Sequence, residues 1–379
     1  MPQTLRLRAL EAEVDVNCPD ELVPTVRAQW SRCLVARPQG EAGETIDLLP
    51  AYVGEGEAAR HRVEYALASQ VTFAGIRQQM GRRLMLHAAG VVDPETQRLA
   101  ILVAESGTGK TTAALNLCAD GMSYLTDETV ALDQQHRALA YPKPLSFVID
   151  ASNPHAKEQH GPDALRLTVA DDGPAARLLV LLDRDPARTE PPALEQVPLV
   201  EGLLALVPQT SALPTLEHPL TALVSLAVAA GGVRRLRYRE VTEAIPLIER
   251  ALAESEPQQV VPRVHRSTGP APDAYQQHDP NRLAPQVPAD GAALLVRGPF
   301  TEALEDDDEV VVLLGAVPVH LRGPGAVLWL ATEEPQELTT LVKECVRVFG
   351  DPGDADDLVR DVADQLLAYG LLELADKPG

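Results

Sequence analysis

Aromatic side chains are scarce in this chain, at 3% of 379 residues: two Trp, seven Tyr and four Phe. Leu, Val and Ala must therefore carry the packing. Basic charge is also short. Lys and Arg number 33 against 55 Asp and Glu, a net charge of −22. That balance argues against a nucleic-acid partner held through its phosphates and disfavours anionic membrane surfaces. Cysteine is rare. Cys18, Cys33, Cys118 and Cys345 are scattered with no short paired spacing, so neither a zinc site nor a disulfide framework is expected. No apolar run reaches the roughly 18 residues that cross a membrane, and the amino terminus has no apolar signal core. These absences lead to the expectation of a soluble protein of a reducing cytoplasm, with no nucleic-acid and no membrane partner.

The apolar fraction of 45% is that of a globular protein, and the length allows two or three domains. The most informative stretch is Ala104-Glu105-Ser106-Gly107-Thr108-Gly109-Lys110-Thr111-Thr112. It follows the apolar run Leu99 to Val103 and opens an apolar-periodic run from Thr111 to Ala119. Strand, glycine-rich loop and helix are the context a phosphate-binding loop needs. Gly107 and Gly109 let backbone N–H groups turn inward around an anion, and the helix adds its positive dipole end. Lys110 would reach the β- and γ-phosphates, and the Thr111 hydroxyl would ligate Mg²⁺. Ser106 through Thr112 are thus the nucleotide-binding candidates. The pattern asks for Gly at position 104 and finds Ala, so the loop entry must avoid positive φ.

Acidic candidates for metal and base roles are Asp127 and Glu128, on the expected strand Tyr124 to Leu132 that follows the loop helix, and Asp183 after Leu178 to Leu182. A carboxylate beside the triphosphate can hold Mg²⁺ or take a proton from an attacking hydroxyl. His87 lies before the loop, on one arm of an expected hairpin, Met85 to Val92 and Leu99 to Val103, turning at Asp93-Pro94-Glu95-Thr96. Helices are expected over Asp20 to Trp30, Ala58 to Met80, Leu223 to Ala229 and Val241 to Leu252, and a short strand over Arg235 to Tyr238. Gly121 serves as a helix stop. From Glu254 to Asp290 prolines recur among Gln, His and Ser with no helical or strand period, which reads as an extended linker. Beyond it, Glu309 to Leu314 and Val317 to Leu321 read as a β-pair, and Gly325 to Leu330, Glu337 to Phe349 and Asp356 to Tyr369 as helices.

The run from Met85 to Asp133 resembles the HPr kinase/phosphorylase family on three features: His87 before the loop, Ser106-Gly107-Thr108-Gly109-Lys110-Thr111, and the pair Asp127-Glu128. The resemblance implies a phosphoenolpyruvate-carboxykinase-type fold, in which a hairpin leads into the loop. It implies ATP and Mg²⁺ as cofactors, Asp127 as base towards an acceptor hydroxyl, and Glu128 with Thr111 and Asp127 at the metal. His87 and Lys110 join Asp127 as catalytic candidates. Glu128 stands where the family has a second Asp. The family's acidic-isoleucine-arginine-glycine stretch, tied to phosphorylase activity, is absent, so the resemblance implies a kinase site without phosphorolysis. Pro142-Lys143-Pro144-Leu145 is similar to a segment after the acidic pair in a diverged branch found with peptide natural-product biosynthesis. Lys143 there either touches a phosphate or acceptor, or is a rigid turn lysine.

The carboxy-terminal part resembles the pyrroloquinoline-quinone biosynthesis protein D family of precursor-peptide recognition domains. Pro324-Gly325-Ala326-Val327-Leu328-Trp329-Leu330, the helix Glu337 to Phe349, and Val362 to Leu372 ending in Tyr369-Gly370-Leu371-Leu372 carry that likeness. It implies binding of a leader peptide as an added strand, a helix supplying side-chain pockets. Trp329 is there either a core residue or a peptide contact. A winged-helix DNA reader would share the pattern, but residues 291–379 hold 18 acidic against 6 basic side chains, the wrong sign for DNA. The acidic run Glu305-Asp306-Asp307-Asp308-Glu309 would attract a basic peptide or stand as a solvated loop.

The expected fold class is therefore α/β. A small α/β lobe (1–60) precedes a P-loop kinase domain of HPr kinase type (61–253). A Pro-rich linker (254–290) leads to a winged-helix-like α+β domain (291–379). The expected function is an ATP-dependent phosphotransferase, acting on a Ser or Thr hydroxyl of a natural-product precursor peptide. Alternatives are a kinase of a small, amino acid-like alcohol and a degenerate nucleotide-binding scaffold serving partner biosynthetic enzymes. A homo-oligomer is left open.

Overall fold

The computed structural model describes residues 3–38, 40–48, 56–150, 153, 156–259, 262–267, 285–288 and 294–375. By the density of its contacts the chain forms two units, Met1–Glu217 with Ser225–Val260, and His218–Val224 with Val261–Gly379. Both mix helices with several sheets.

The first unit opens on β1 (Gln3–Ala9), β2 (Ala12–Cys18), α1 (Val23–Gln29) and β3 (Glu44–Asp47), with the strands in one sheet in that order. Strict alternation in β1 and β2 buries Leu5, Leu7, Val14 and Val16 on one face. Helix α2 (Glu57–Gln79) buries Ala59, Val63, Leu67, Val71 and Ala74. This spacing of three and four makes one apolar stripe. The stripe joins β1, β2, Trp30 and Tyr141 in a single core. Gly75 permits the approach, because a Cβ there would meet the Ala9 carbonyl oxygen at 2.9 Å. A boundary at residue 60 would therefore cut a helix that packs on the first lobe.

Next come β4 (Leu84–Leu86), β5 (Ala88–Val92), β6 (Arg98–Val103), α3 (Lys110–Ala119), β7 (Ser123–Thr126) and β8 (Val130–Leu132). They are followed by β9 (Leu145–Val148), β10 (Lys157–His160), β11 (Ala175–Arg184), β12 (Ala193–Val197), α4 (Leu199–Leu206), β13 (Thr210–Ser211), α5 (Pro219–Ala229, of which Pro219–Val224 counts with the second unit), β14 (Val233–Tyr238) and α6 (Val241–Glu254). A six-stranded sheet runs β12-β14-β11-β6-β5-β7. A three-stranded sheet runs β13-β4-β8, and β9 pairs with β10. Helices α3 and α6 cover one face of the large sheet, sharing a core with Leu102, Val180 and Leu236.

The hairpin into the loop is present: β5 pairs antiparallel with β6 across the Asp93 turn. Two expected strands are each divided. Met85 to Val92 breaks at His87, β4 joining the small sheet and β5 the large one. Tyr124 to Leu132 breaks at Asp127 to Thr129, with β7 in the large sheet and β8 in the small. Alternation could not reveal these forks, because β4, β5, β7 and β8 are buried on both faces.

The second unit contains β15 (Arg263–Arg266), β16 (Leu294–Arg297), β17 (Glu302–Asp306), β18 (Glu309–Leu314) and β19 (Val317–Leu321). They precede α7 (Pro324–Ala331), β20 (Gln336–Glu337), α8 (Leu338–Phe349), α9 (Ala355–Ala368) and β21 (Leu372–Ala375). An antiparallel sheet runs β15-β17-β18-β19, and β20-β16-β21 forms another. The expected β-pair is β18 with β19, and the three expected helices are α7, α8 and α9. Strand β15 corrects the reading of Glu254 to Asp290 as free of strand period: Arg263–Arg266 pairs with β17. Four residues, two of them Arg, are too few for a pattern to register. Residues 260, 261, 268–284, 289 and 290 of that stretch lie outside the described residues. Trp329 is buried, with Phe300 edge-on and the Arg297 guanidinium 4.0 Å above its ring. Glu302, also buried, accepts hydrogen bonds from the Leu220 and Thr221 N–H groups and the Thr221 hydroxyl in the first turn of α5.

Candidate functional site at one end of the large sheet

Strand direction decides which residues meet. β6, β11 and β14 run parallel, so Val103, Arg184 and Tyr238 end at one edge of the sheet. β5 runs the other way, which brings its entry, and so His87, to that edge. β7 is antiparallel to β5, so its exit delivers Asp127 and Glu128 there too. The carboxyl ends of parallel strands are where open α/β sheets bind ligands.

The loop leaves β6 at Ala104, which is absent from the residues of positive φ. An ordinary backbone at the entry explains why Ala serves where the motif asks for Gly. Gly107 and Gly109 do need positive φ, +87° and +107°, and Gly109 is the left-handed N-cap of α3. Ser106, Gly107 and Thr112 face solvent, Thr108, Gly109 and Thr111 are half-buried, and Lys110 is buried. The Lys110 ammonium donates to the carbonyl oxygens of Ala104 (2.6 Å) and Glu105 (3.2 Å). Burial works against its charge and lowers its pKa, with Glu128 and Asp127 opposing.

Asp127 is the centre of a buried network. Its Oδ2 accepts from the Thr111 hydroxyl at 2.8 Å, and its Oδ1 from the Tyr124 hydroxyl at 2.9 Å. The Lys143 ammonium lies 2.9 Å from the same Oδ1, with both side chains 2% exposed. Burial alone would raise the Asp127 pKa. The Lys143 charge and the hydrogen bonds from Lys143, Thr111 and Tyr124 outweigh it, so the carboxyl sits below its usual range. Burial likewise works to neutralise Lys143, but Asp127 and Glu128 hold it above the ordinary lysine value. Lys143 also donates to the Pro144 carbonyl, so the segment Pro142 to Leu145 pins an inward-pointing ammonium.

Glu128 is the open carboxylate, with its side chain 39% exposed beside His87 at 34%. The His87 Nδ1 lies 3.1 Å from the Glu128 carbonyl oxygen and 3.4 Å from its Oε1. Burial and the Lys110 charge lower the His87 pKa, against the pull of Glu128. Of the three acids singled out from sequence, Asp183 stands apart from this network. It faces solvent beside Arg237 at 3.6 Å, and Arg237 also pairs with Glu195. Tyr124, three residues before Asp127, was not anticipated. A buried Tyr hydroxyl needs a partner, but an offset of three places the two residues on opposite faces of a regular strand, so strand spacing gave no signal for this pair.

Among the described residues no cluster of three or more His, Cys, Asp and Glu could cage a metal. Mg²⁺ requires no such cage, since it keeps waters and takes one or two protein oxygens plus phosphates. Thr111 and Asp127, hard oxygens 2.8 Å apart at the loop, fit that chemistry.

No family model matches the sequence, and no curated protein is significantly similar to it. A solved structure, the Hpr(Ser) kinase/phosphatase from Coxiella burnetii, aligns with 45% of this chain and 99% of its own. Identity over the alignment is 13% and the TM-score is 0.25, so this likeness assigns neither fold nor activity to the chain.

Proposed function

We propose that the chain is an ATP-dependent phosphotransferase that phosphorylates a Ser or Thr hydroxyl on a precursor peptide held by the second unit. One observation carries the phosphotransferase reading. The sheet brings a glycine loop, its lysine, a loop threonine bonded to a buried carboxylate, and an open carboxylate–histidine pair to one edge. Loop amides and Lys110 bind the phosphates. Thr111 and Asp127 would hold Mg²⁺, which when bound neutralises charge on the transferring phosphoryl group.

The resemblance assigns the base role to Asp127, but geometry favours Glu128. Both Asp127 oxygens are engaged, and its low basicity suits a fixed anion. Glu128 is half-buried, with its Oε1 3.4 Å from His87 Nδ1 and its Oε2 only loosely paired, 3.9 Å from the Lys143 ammonium, so it can accept the proton of an incoming hydroxyl, with His87 orienting its carboxylate. The peptide part of the reading is supported by the second unit's acidic charge and by strand β19, which lies at the end of its sheet and can accept an added strand.

The test is mass spectrometry of a leader-bearing peptide encoded near this chain, incubated with the protein, Mg²⁺ and ATP. A gain of phosphate mass, lost in Lys110→Ala and in Glu128→Gln, is the expected result. Tight peptide binding without modification would instead favour a scaffold. Phosphate transfer to a free hydroxy amino acid, with none to peptide, would favour a small-alcohol kinase.

A further inference from the structure

The loop has two flanks. On the β5 and β7 side stand His87, Asp127 and Glu128, the groups suited to the reacting end of a nucleotide. On the β11 and β14 side stand Arg184 and Tyr238, which no motif singled out. They face each other across the parallel ladder, Arg184 opposite Tyr238. A Cβ built on Gly109 would lie 3.8 Å from the Tyr238 hydroxyl and 4.0 Å from the Arg184 Cδ. Both side chains therefore border the last glycine of the loop.

Their settings differ from ordinary surface residues. Tyr238 is a large buried side chain whose hydroxyl end points at the loop. Arg184 is 40% exposed but anchored, its Nε donating to the Arg239 carbonyl at 3.1 Å and its Nη2 to Glu240 Oε1 at 3.2 Å. A guanidinium held in the plane by bonds along one edge can present its planar face to an aromatic ring. With the acceptor groups on one flank, a triphosphate lying along the loop must extend its nucleoside end to the other.

We infer that Arg184 and Tyr238 form the nucleoside wall of this site, Arg184 stacking on the base and Tyr238 hydrogen-bonding the sugar–phosphate junction. This rests on the phosphate-loop reading and names the residues that tell a nucleotide from a bare polyphosphate.

The experiment is calorimetric titration of the full chain, with Mg²⁺, by ADP and separately by inorganic tripolyphosphate. The proteins are wild type, Arg184→Ala, Tyr238→Phe and Lys110→Ala. Arg184→Ala should weaken ADP about tenfold and Tyr238→Phe about threefold, while tripolyphosphate affinity changes by less than about twofold in either. Lys110→Ala should weaken both ligands. Equal losses for both ligands in Arg184→Ala would make it a phosphate contact and overturn the assignment, as would unchanged ADP affinity. Wild type binding neither ligand would instead overturn the phosphate-loop reading on which the assignment rests. Thermal unfolding of each variant separates loss of binding from loss of fold.

Discussion

At the scale of single residues, the Asp127–Lys143 pair holds the highest stakes. Two unit charges with 2% of either side chain exposed are tolerated because each neutralises the other, with Thr111 and Tyr124 bonded to the carboxylate and Glu128 near the ammonium. Lys143→Met should cost about 3–5 kcal/mol of unfolding free energy in urea, because it strands a buried carboxylate. Adding Asp127→Asn to that variant should restore much of the loss. A cost no larger than that of an exposed pair would contradict the buried network. His136 gives a separate pH signature. It sits half-buried in a turn at φ +57°, and burial lowers its pKa, with Asp133 opposing and Arg177 reinforcing. Its neutral form stabilises the fold fully above the unfolded-state pKa, and that contribution is lost as pH falls through the lowered folded value. Between about pH 7.5 and about pH 5.5, wild type should therefore lose more stability than His136→Gln.

At the scale of elements, the readable parts were those with one buried face. Helix α2, expected over Ala58 to Met80, runs Glu57–Gln79, because its stripe from Ala59 to Ala74 repeats at helical spacing. The phosphate loop was legible because glycine, lysine and threonine each answer a separate physical demand there. The sites where β4 gives way to β5 and β7 to β8 were hidden, since a strand buried on both faces reads the same in either sheet. Lys143 was legible only as an alternative to a turn lysine, since what makes it consequential is a partner 16 residues away in sequence. Arg184 and Tyr238 were invisible as a pair, because strand ends become neighbours only once the ladder forms. The helix α2 packing makes its own prediction. Gly75→Val should lower the thermal midpoint by several degrees, about 4 °C or more, since its Cβ would press on the Ala9 carbonyl, a backbone atom that cannot rotate away. An unchanged midpoint would mean that α2 sits further from β1.

At the scale of the whole molecule, the two units interleave in sequence: His218–Val224 belongs with Val261–Gly379. Deleting residues 291–379 to test peptide dependence therefore also removes Glu302, which caps the first turn of α5. Glu302→Gln should by itself cost about 1–3 kcal/mol in thermal or urea unfolding, and a smaller effect would mean that this cap contributes little to the unit; the deletion also strips β15 of its partner β17. Among the described residues no helix is long and apolar enough to cross a membrane. The forks at His87 and at Asp127 have a wider consequence. Each candidate catalytic side chain on that flank sits where the chain leaves one sheet for the other, so neither sheet alone defines its position. A half-assembled chain would carry no partly working site. Activity should appear late and all at once during refolding, which makes turnover a stricter reporter of complete assembly than any spectroscopic measure of secondary structure.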